Sequence, residues 1–309
     1  MTAFCPACCT WLDTFVLDRA GNPRGCTVCQ SLERHRVLAV LLPAVAALAR
    51  QAREHAEPAR PLLLVDVAPS AALERALTRV PEAQVVRMDF DPGADGRAVD
   101  VRASVTAVPL ADGSVDLLLC SHVLEHVPDD LAAMRDLARV IGERGIGVVV
   151  VPWRPGPTDE DPDASAPERI ARFGQADHVR YYGDDFDARL AGAGLSVETF
   201  RADELVEPWV AALLRLLPGE RFWLVRPMTS PHKLPAVGDV RDRVGHELAA
   251  CLSAGDAATR AAERAEAARW REQAVGWQER YQRLRARRTV RLLFALGRAR
   301  ARVERRLHR

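Results

Sequence analysis

The chain has 309 residues, of which 48% are hydrophobic and 28% charged, enough for one core of ordinary domain size plus further segments. Its formal net charge is +1, so bulk charge does not steer the molecule to nucleic acid or to a membrane surface. No apolar run is long enough to span a bilayer and no secretory signal pattern is visible, so we expect a cytoplasmic protein.

Two C-x-x-C pairs open the chain. Cys5 and Cys8 form the first pair, Cys26 and Cys29 form the second, and seventeen residues separate them. In the cytoplasm such cysteines are better interpreted as metal ligands than as disulfides. Four thiolates from two tight turns close a tetrahedral site that suits Zn²⁺. Residues 1–30 are therefore predicted to be a zinc ribbon whose metal is structural, with a reduced, metal-free cluster as the alternative.

Three further cysteines stand outside these pairs. Cys9 could enter the metal shell, although its position does not match the C-x-x-C turn. Cys120 and Cys251 are isolated in the sequence, and we expect both to be ordinary buried thiols.

The next segments alternate between helical and strand patterns. Ser31 is predicted to cap a helix that runs to about Glu54, and residues 31–60 form this connecting helix and a linker. From residue 61 short apolar runs alternate with helical stretches, which predicts a parallel α/β sheet. The predicted strands are 62–67, 83–90, 115–120, 145–152, 195–200 and 221–226; the predicted helices are 71–80, 129–141, 184–193 and 203–217; residues 153–177 are predicted to be a long polar loop.

The carboxyl ends of the predicted strands carry the candidate ligand-binding residues, because parallel sheets bind ligands at that edge. The segments are 66–69, 89–91, 104–105 and 121–122. An acid at the end of the second strand can accept hydrogen bonds from both hydroxyls of a ribose, which favours a cofactor that contains adenosine. The glycine-rich patterns of dinucleotide and triphosphate sites are absent from the sequence.

Three stretches carry a resemblance to a known family. They are VPLADGSVDLLLCSHVLEHVPDDLAAMRDLARVI (108–141), EDPDASAPERIARFGQADHVRYYGDDFDARLAGAGLSVETF (160–200), and the cysteine pairs followed by SLERHR (31–36). Together they resemble class I S-adenosylmethionine-dependent methyltransferases of the type 11 kind, in a bacterial subgroup with an N-terminal zinc ribbon. The resemblance covers about residues 1–227. It implies a Rossmann-like, seven-stranded methyltransferase sheet over residues 61–230 and S-adenosylmethionine as the cofactor.

The resemblance also implies roles for individual residues at the strand ends. The residues implied to bind the cofactor are Asp66, Val67, Ala68 and Pro69 in the first loop, Asp89 and Phe90 at the ribose, Ser104 and Val105 beside the adenine, and Ser121 and His122 near the methionine portion. The chain departs from the family where its first loop lacks glycine, where Pro69 has no N–H to donate, and where Ser104 replaces a common Asp. A degenerate, non-catalytic copy of the fold is therefore one alternative.

The stretch SHVLEHVPDD (121–130) contains the first candidates for a catalytic base. Asp129 or Asp130 is predicted to cap the next helix, but capping does not explain two histidines at a strand end. Methyl transfer needs alignment, and a base only for a poor nucleophile. His122 and His126 are candidate bases, and Glu125 is expected to have a mainly structural hydrogen-bonding role.

A second polar cluster follows the long loop. His178 is a further candidate base, Arg180 could pair with an anionic substrate, and Tyr181 or Tyr182 could stack on a ring. The alternative is that Asp184 caps the next helix and that the tyrosines pack against the protein.

Residues 236–309 are predicted to be a helical, Arg-rich tail with weak coiled-coil character. Residues 280–309 contain twelve arginines and one acid, and apolar residues occur among them, so the tail could lie on an anionic membrane surface or bind an acidic partner. That reading makes the protein peripheral at the membrane. Trp270, Trp277 and Tyr281 share one helical face, which suggests packing on the domain or on a second copy in a homodimer. An exposed helix with no partner is the alternative.

The functional hypothesis is methyl transfer from S-adenosylmethionine to a small-molecule or saccharide acceptor, with structural zinc. One alternative is an RNA methyltransferase that binds RNA with its zinc ribbon and its Arg-rich tail. Nucleic acid is disfavoured because the ribbon's Arg19 and Arg24 are balanced by Asp13 and Asp18, and because no N-P-P-Y-type turn follows the fourth strand. The other alternative is a non-catalytic scaffold with the methyltransferase fold.

Overall fold

A computed structural model describes residues 3–18, 21, 23–53, 60–80, 82–91, 98–217 and 219–286. The chain divides into two compact units, with the boundary between Gly255 and Asp256. The first unit contains every strand that the structure describes.

The N-terminal segment forms two small antiparallel sheets. Strands β1 (Ala3–Cys5) and β2 (Thr10–Leu12) pair in one, and β3 (Val16–Leu17) pairs with β4 (Pro23–Gly25) in the other. Helix α1 (Glu33–Arg53) follows and contains the apolar run 37–49. Most side chains of that run are buried in the main core, so its length reflects burial against the sheet.

A seven-stranded sheet forms the centre of the first unit. Its strands are β5 (Leu62–Val67), β6 (Ala83–Asp89), β7 (Val101–Arg102), β8 (Val115–Ser121), β9 (Ile141–Val150), β12 (Leu195–Arg201) and β13 (Arg221–Pro227). The order across the sheet is β12-β13-β9-β8-β5-β6-β7, and β13 runs antiparallel to both of its neighbours. The helices of this region are α2 (Ala71–Leu77), α3 (Asp130–Val140), α4 (Ala166–Phe173), α5 (Phe186–Gly192) and α6 (Pro208–Leu214).

This arrangement confirms the predicted Rossmann-like α/β class. The central strands are buried on both faces, as their continuous apolar sequences require, and each face of the sheet borders its own hydrophobic cluster. Strands β6 and β7 lie on one side of β5. The next strand in the chain, β8, lies on the other side, so a crevice opens at the carboxyl ends of the parallel strands β5 and β8.

The segment predicted as a long loop, 153–177, contains regular structure. Strand β10 (Asp159–Glu160) pairs with β11 (Arg180–Tyr181), and helix α4 begins at a capping box formed by Ser165 and Glu168. The acidic residues of 159–161 are partly exposed and form ion pairs with arginines.

Two predicted helix limits were wrong. The helix predicted at 203–217 is the shorter α6, because a 3₁₀ turn, Ala202–Glu204, comes first and Pro208 starts the helix. Helix α5 begins at Phe186 with Asp185 in the cap position. The predicted cap, Asp184, instead accepts a hydrogen bond from the Gly156 N–H.

Arginine side chains fasten the N-terminal segment to the rest of the first unit. Arg36 is buried and donates to the carbonyl oxygens of Leu214 at 2.6 Å, Arg24 at 2.7 Å and Arg215 at 2.9 Å. Arg79 donates to the carbonyl oxygen of Pro6 at 2.9 Å. Because a buried guanidinium needs all of these partners, the two arginines fix the orientation of the N-terminal segment.

The C-terminal segment is one helix, α7 (Val237–Ala286), as far as the structure describes it. The predicted basic stretch beyond residue 286 lies outside the described residues, and so do the side chains of Trp270, Trp277 and Tyr281. None of the described helices is both long enough and apolar enough to cross a membrane.

Candidate functional site

A cavity of about 470 Å³ lies at the carboxyl ends of β5, β6, β7 and β8. Its wall includes Val67 and Ala68 after the first of these strands, Asp89 and Phe90 after the second, Ser104 and Val105 after the third, and His122 and His126 after the fourth. Ligand sites in open α/β sheets occupy this crevice, and the volume suits a small organic ligand.

The first loop contains no glycine where it borders the cavity. Ala68 takes a left-handed backbone conformation, with φ of 53°, and its N–H donates to the carbonyl oxygen of Met88 at 2.8 Å. Such a conformation is uncommon for a residue with a Cβ, and alanine keeps the added bulk small. Asp66 and Pro69 are buried and do not line the cavity, so Val67 and Ala68 form the first-loop surface.

The second strand ends in an acidic turn at the cavity rim. Asp89 Oδ1 accepts a hydrogen bond from the Asp91 N–H at 3.0 Å, which orients the carboxylate. The neighbouring Phe90 ring is 71% exposed, which is unusual for a large apolar side chain beside a cavity. Ser104 is engaged locally, since its hydroxyl lies 2.8 Å from the Thr106 hydroxyl.

The fourth strand ends in a strained turn. Ser121 is its last residue and does not line the cavity; His122 follows with φ of 56° and donates its N–H to the Val150 carbonyl at 2.8 Å. A 3₁₀ turn, Leu124–His126, then leads to α3. Asp129 caps α3 by accepting from the Ala132 N–H at 2.9 Å, which settles the capping role between the two predicted aspartates.

The turn brings the three predicted histidines together. His122 and His126 line the cavity, and the His126 ring lies against the His178 ring at 4.6 Å between centroids. His178 is 4% exposed, and burial lowers its pKa, which favours the neutral imidazole. His126 Nδ1 lies 3.1 Å from Asp177 Oδ2.

Glu125 does not have the hydrogen-bonding role that was expected. Its side chain is fully buried, and neither carboxylate oxygen accepts a hydrogen bond from the described residues. His122 Nδ1 lies 3.1 Å from Oε1, which is ion-pair distance without hydrogen-bond geometry. Burying a carboxylate without hydrogen bonds is unfavourable in free energy, so the start of a helix does not by itself explain this turn.

The Arg180 side chain stabilises this turn through hydrogen bonds. Its guanidinium is 1% exposed and donates to the carbonyl oxygens of Leu124 and Pro128, both at 2.8 Å, and to that of Val127. The expectation that Arg180 could pair with an anionic substrate is wrong, because its donors serve the backbone of the turn.

The tyrosines next to Arg180 pack against the protein, as the alternative reading predicted. Tyr182 is fully buried and donates its hydroxyl to Asp130 at 2.8 Å. Tyr181 is partly buried and lies against Arg154, whose guanidinium carbon is 4.9 Å from the ring centroid.

Comparison with known proteins shows which family this region resembles. Residues 47–149 match the sequence model of the family described as "Methyltransferase domain". The matched segment is 103 of the chain's 309 residues, and over it the chain is similar to this family.

The curated relatives match only part of this chain. An "Uncharacterized methyltransferase" from Mycobacterium sp. (strain JLS) is 44% identical over 62 residues, which are 20% of this chain and 25% of the relative. The chain therefore matches about a quarter of that relative's length. One from Mycobacteroides abscessus is 42% identical over 55 residues, 18% of this chain and 21% of the relative.

Solved structures show more distant likenesses. The YcgJ protein of Bacillus subtilis is 20% identical, with a TM-score of 0.35 over 51% of this chain and 70% of that one. A Burkholderia thailandensis 1,6-didemethyltoxoflavin-N1-methyltransferase, solved with S-adenosylhomocysteine, is 17% identical, with a TM-score of 0.37 over 60% of this chain and 76% of that one.

The cysteine centre lies in the N-terminal segment, outside the matched residues. The Sγ atoms of Cys5 and Cys29 are 3.7 Å apart, those of Cys8 and Cys26 are 3.9 Å apart, and all four lie within 4.8 Å of one another. A tetrahedron with Zn–S bonds of about 2.3 Å has edges of roughly 3.8 Å, so the four sulfurs fit zinc.

The remaining cysteines differ from the sequence-based expectation. Cys9 and Cys251 form a disulfide between the N-terminal segment and α7, so Cys9 is not a metal ligand and Cys251 is not a free thiol. Cys120 is a free and fully buried thiol, as predicted, and burial raises its pKa.

Proposed function

We propose that this chain is an S-adenosylmethionine-dependent methyltransferase that acts on a small-molecule or saccharide acceptor and carries a structural zinc ion. The observation that carries the proposal is the cavity in which Asp89 and Phe90 share a wall with His122 and His126. The family match over residues 47–149 supports it, because the match includes the strands that build this cavity.

The residues at the sheet edge fit the cofactor. When bound, S-adenosylmethionine supplies a methyl carbon on a positively charged sulfur, which an aligned nucleophile can attack. The Asp89 carboxylate would accept hydrogen bonds from the ribose hydroxyls, since it stands at the end of β6. The exposed Phe90 ring offers an apolar face for the adenine, and the short Ala68 side chain allows close approach to the backbone.

The histidines form the other end of the same cavity. A hydroxyl acceptor must lose its proton during methyl transfer, and an imidazole can accept it. His122 and His126 line the cavity, whereas His178 lies behind His126. We assign proton acceptance to His122, because it faces the cavity directly after the fourth strand.

The cysteine centre completes the proposal as a structural zinc site. Four sulfur ligands leave no open position for a substrate, so this zinc would stabilise the ribbon and take no part in methyl transfer. The buried Arg36 then holds the folded ribbon against α6.

Calorimetric titration with S-adenosylmethionine and S-adenosylhomocysteine tests the proposal. We expect micromolar binding by the zinc-loaded protein and about 10- to 100-fold weaker binding by Asp89→Asn, because charged hydrogen bonds to the ribose are lost. Asp163→Asn, an exposed carboxylate outside the cavity, should bind like the wild type. No binding at millimolar cofactor would contradict the proposal and favour the non-catalytic scaffold.

A further inference from the structure

A second group of metal-binding side chains lies beside the histidine end of the cavity. Glu125, His126 and His178 each present one donor atom, and the three atoms lie within 4.8 Å of one another. The group lies after β8, in the 3₁₀ turn and the segment that packs against it, and shares no residue with the cysteine centre. We propose that these three side chains bind a divalent transition-metal ion, and that the ion binds an oxygen atom of the acceptor.

The state of Glu125 is the first observation that points to a cation. Its side chain is 0% exposed, and among the described residues no donor bonds either carboxylate oxygen. Burying an ionised carboxylate without hydrogen bonds is unfavourable unless a counter-charge or a metal compensates for it. A cation between Glu125 and the histidines would supply that compensation.

The histidines provide an independent observation. His178 is 4% exposed, and its Nδ1 has no hydrogen-bond partner within the part of the chain that the structure describes. His126 places Nδ1 3.1 Å from Asp177 Oδ2, which leaves Nε2 as its ligand atom. Metal-binding histidines commonly use their second nitrogen in this way, because a carboxylate there orients the ring.

A simple ion pair explains less of the geometry. His122 Nδ1 lies 3.1 Å from Glu125 Oε1, so a protonated His122 could neutralise the carboxylate. That pairing would still leave Glu125 Oε2 and His178 Nδ1 buried without partners among the described residues. The three-ligand site gives both buried side chains a partner.

The ligand set indicates which class of ion would bind. Two imidazoles and one carboxylate suit zinc, iron(II), cobalt(II) or manganese(II) more than calcium, which prefers oxygen ligands alone. Ligand atoms around a tetrahedral ion with bonds of about 2.05 Å lie roughly 3.4 Å apart, so binding would draw the three donors together by at most about 1.4 Å. Three protein ligands leave at least one position open.

The open position would face the cavity, since His126 belongs both to the proposed site and to the cavity wall. This part of the inference rests on the proposed function. A cation there would polarise an acceptor hydroxyl and lower its pKa, which favours an acceptor with a hydroxyl or a vicinal diol. His122, which is not one of the three ligands, stays available to accept the proton.

Metal counting after equilibrium dialysis tests the site without any assay of activity. Protein dialysed separately against Zn²⁺, Co²⁺ and Mn²⁺ would be analysed by mass spectrometry of the metals, with the zinc of the ribbon counted in each case. We expect two equivalents per chain for the wild type with at least one of these ions. Glu125→Gln and His178→Asn should each hold one equivalent, and Cys26→Ser should also hold one.

The retained equivalent serves as a folding control. A Glu125→Gln protein that keeps its ribbon zinc has lost only the second site, and His178→Asn repeats the test from another element. His246→Gln, on the exposed face of α7, should keep two equivalents. One equivalent in the wild type with all three ions, or two in both site variants, would overturn the inference. Because no cofactor is present, failure here leaves the calorimetric test of the proposed function untouched.

Discussion

Replacement of Arg180 by lysine tests whether this residue holds the turn that follows β8 or recognises substrate. The guanidinium donates to three carbonyl oxygens of the turn and lies 3.2 Å from Glu160 Oε2. A lysine ammonium can reach one or two of these groups, and it cannot reproduce the planar fork. At least one of the three carbonyls would then lose its donor.

The magnitude follows from those lost bonds. Each buried carbonyl without a donor costs about 1–3 kcal/mol, so Arg180→Lys should lower the free energy of unfolding by at least about 1–3 kcal/mol. The turn carries His122 and His126, so S-adenosylhomocysteine binding should weaken as well. Urea unfolding followed by circular dichroism, together with calorimetry, measures both effects.

The matched control is Arg135→Lys, an exposed arginine on α3, which should change stability by less than about 0.5 kcal/mol. If Arg180→Lys matched this control in stability and cofactor binding, and only the KM for an anionic acceptor rose, the positioning role would be refuted. Substrate recognition would then be the better interpretation.

Three further predictions concern the N-terminal segment. Burial lowers the pKa of His35 to about 3, and its Nδ1 accepts a hydrogen bond from the Leu32 N–H. Because this folded pKa lies below the unfolded value near 6.5, the stability contribution of His35 is full above pH 6.5 and falls by about 1.4 kcal/mol by pH 5.5. In urea unfolding at each pH, His35→Asn should lose this part of the dependence of unfolding free energy on pH. Cys251→Ala removes the disulfide to Cys9, which joins residues 242 positions apart, and should lower the free energy of unfolding by about 3–5 kcal/mol. Added reductant should destabilise only the wild type, and equal stability of variant and wild type would contradict the disulfide. Cys26→Ser should abolish ribbon zinc, seen by metal analysis, and expose the segment to proteolysis; retained zinc would contradict the four-sulfur site.

The sheet was predictable because its central strands are buried on both faces. Strands such as β5 and β8 appear in the sequence as continuous apolar runs, and their observed limits fall close to the predicted ones. Strand β7 has two residues, too few to produce a pattern, so only the family resemblance implied it. The capping box at Ser165 was a local signal for α4 that the long-loop interpretation missed.

The site was predictable only in part. Residue types at strand ends indicated that Asp89 and His122 would meet at one edge, and they do line one cavity. The partners of Arg180 lie 52 to 56 residues away and are backbone carbonyls, which have no signature in the sequence. The disulfide of Cys251 depends likewise on a distant fold contact. The burial of Glu125, between polar neighbours, also emerged only from the fold.

A crystal structure of the zinc-loaded protein with S-adenosylhomocysteine tests the central claim most directly. The account predicts the ribose hydroxyls on the Asp89 carboxylate, the adenine beside Phe90, and the sulfur directed toward His122, all within the cavity at the carboxyl edge of the sheet. A ligand bound elsewhere, or an empty cavity at saturating S-adenosylhomocysteine, would contradict it.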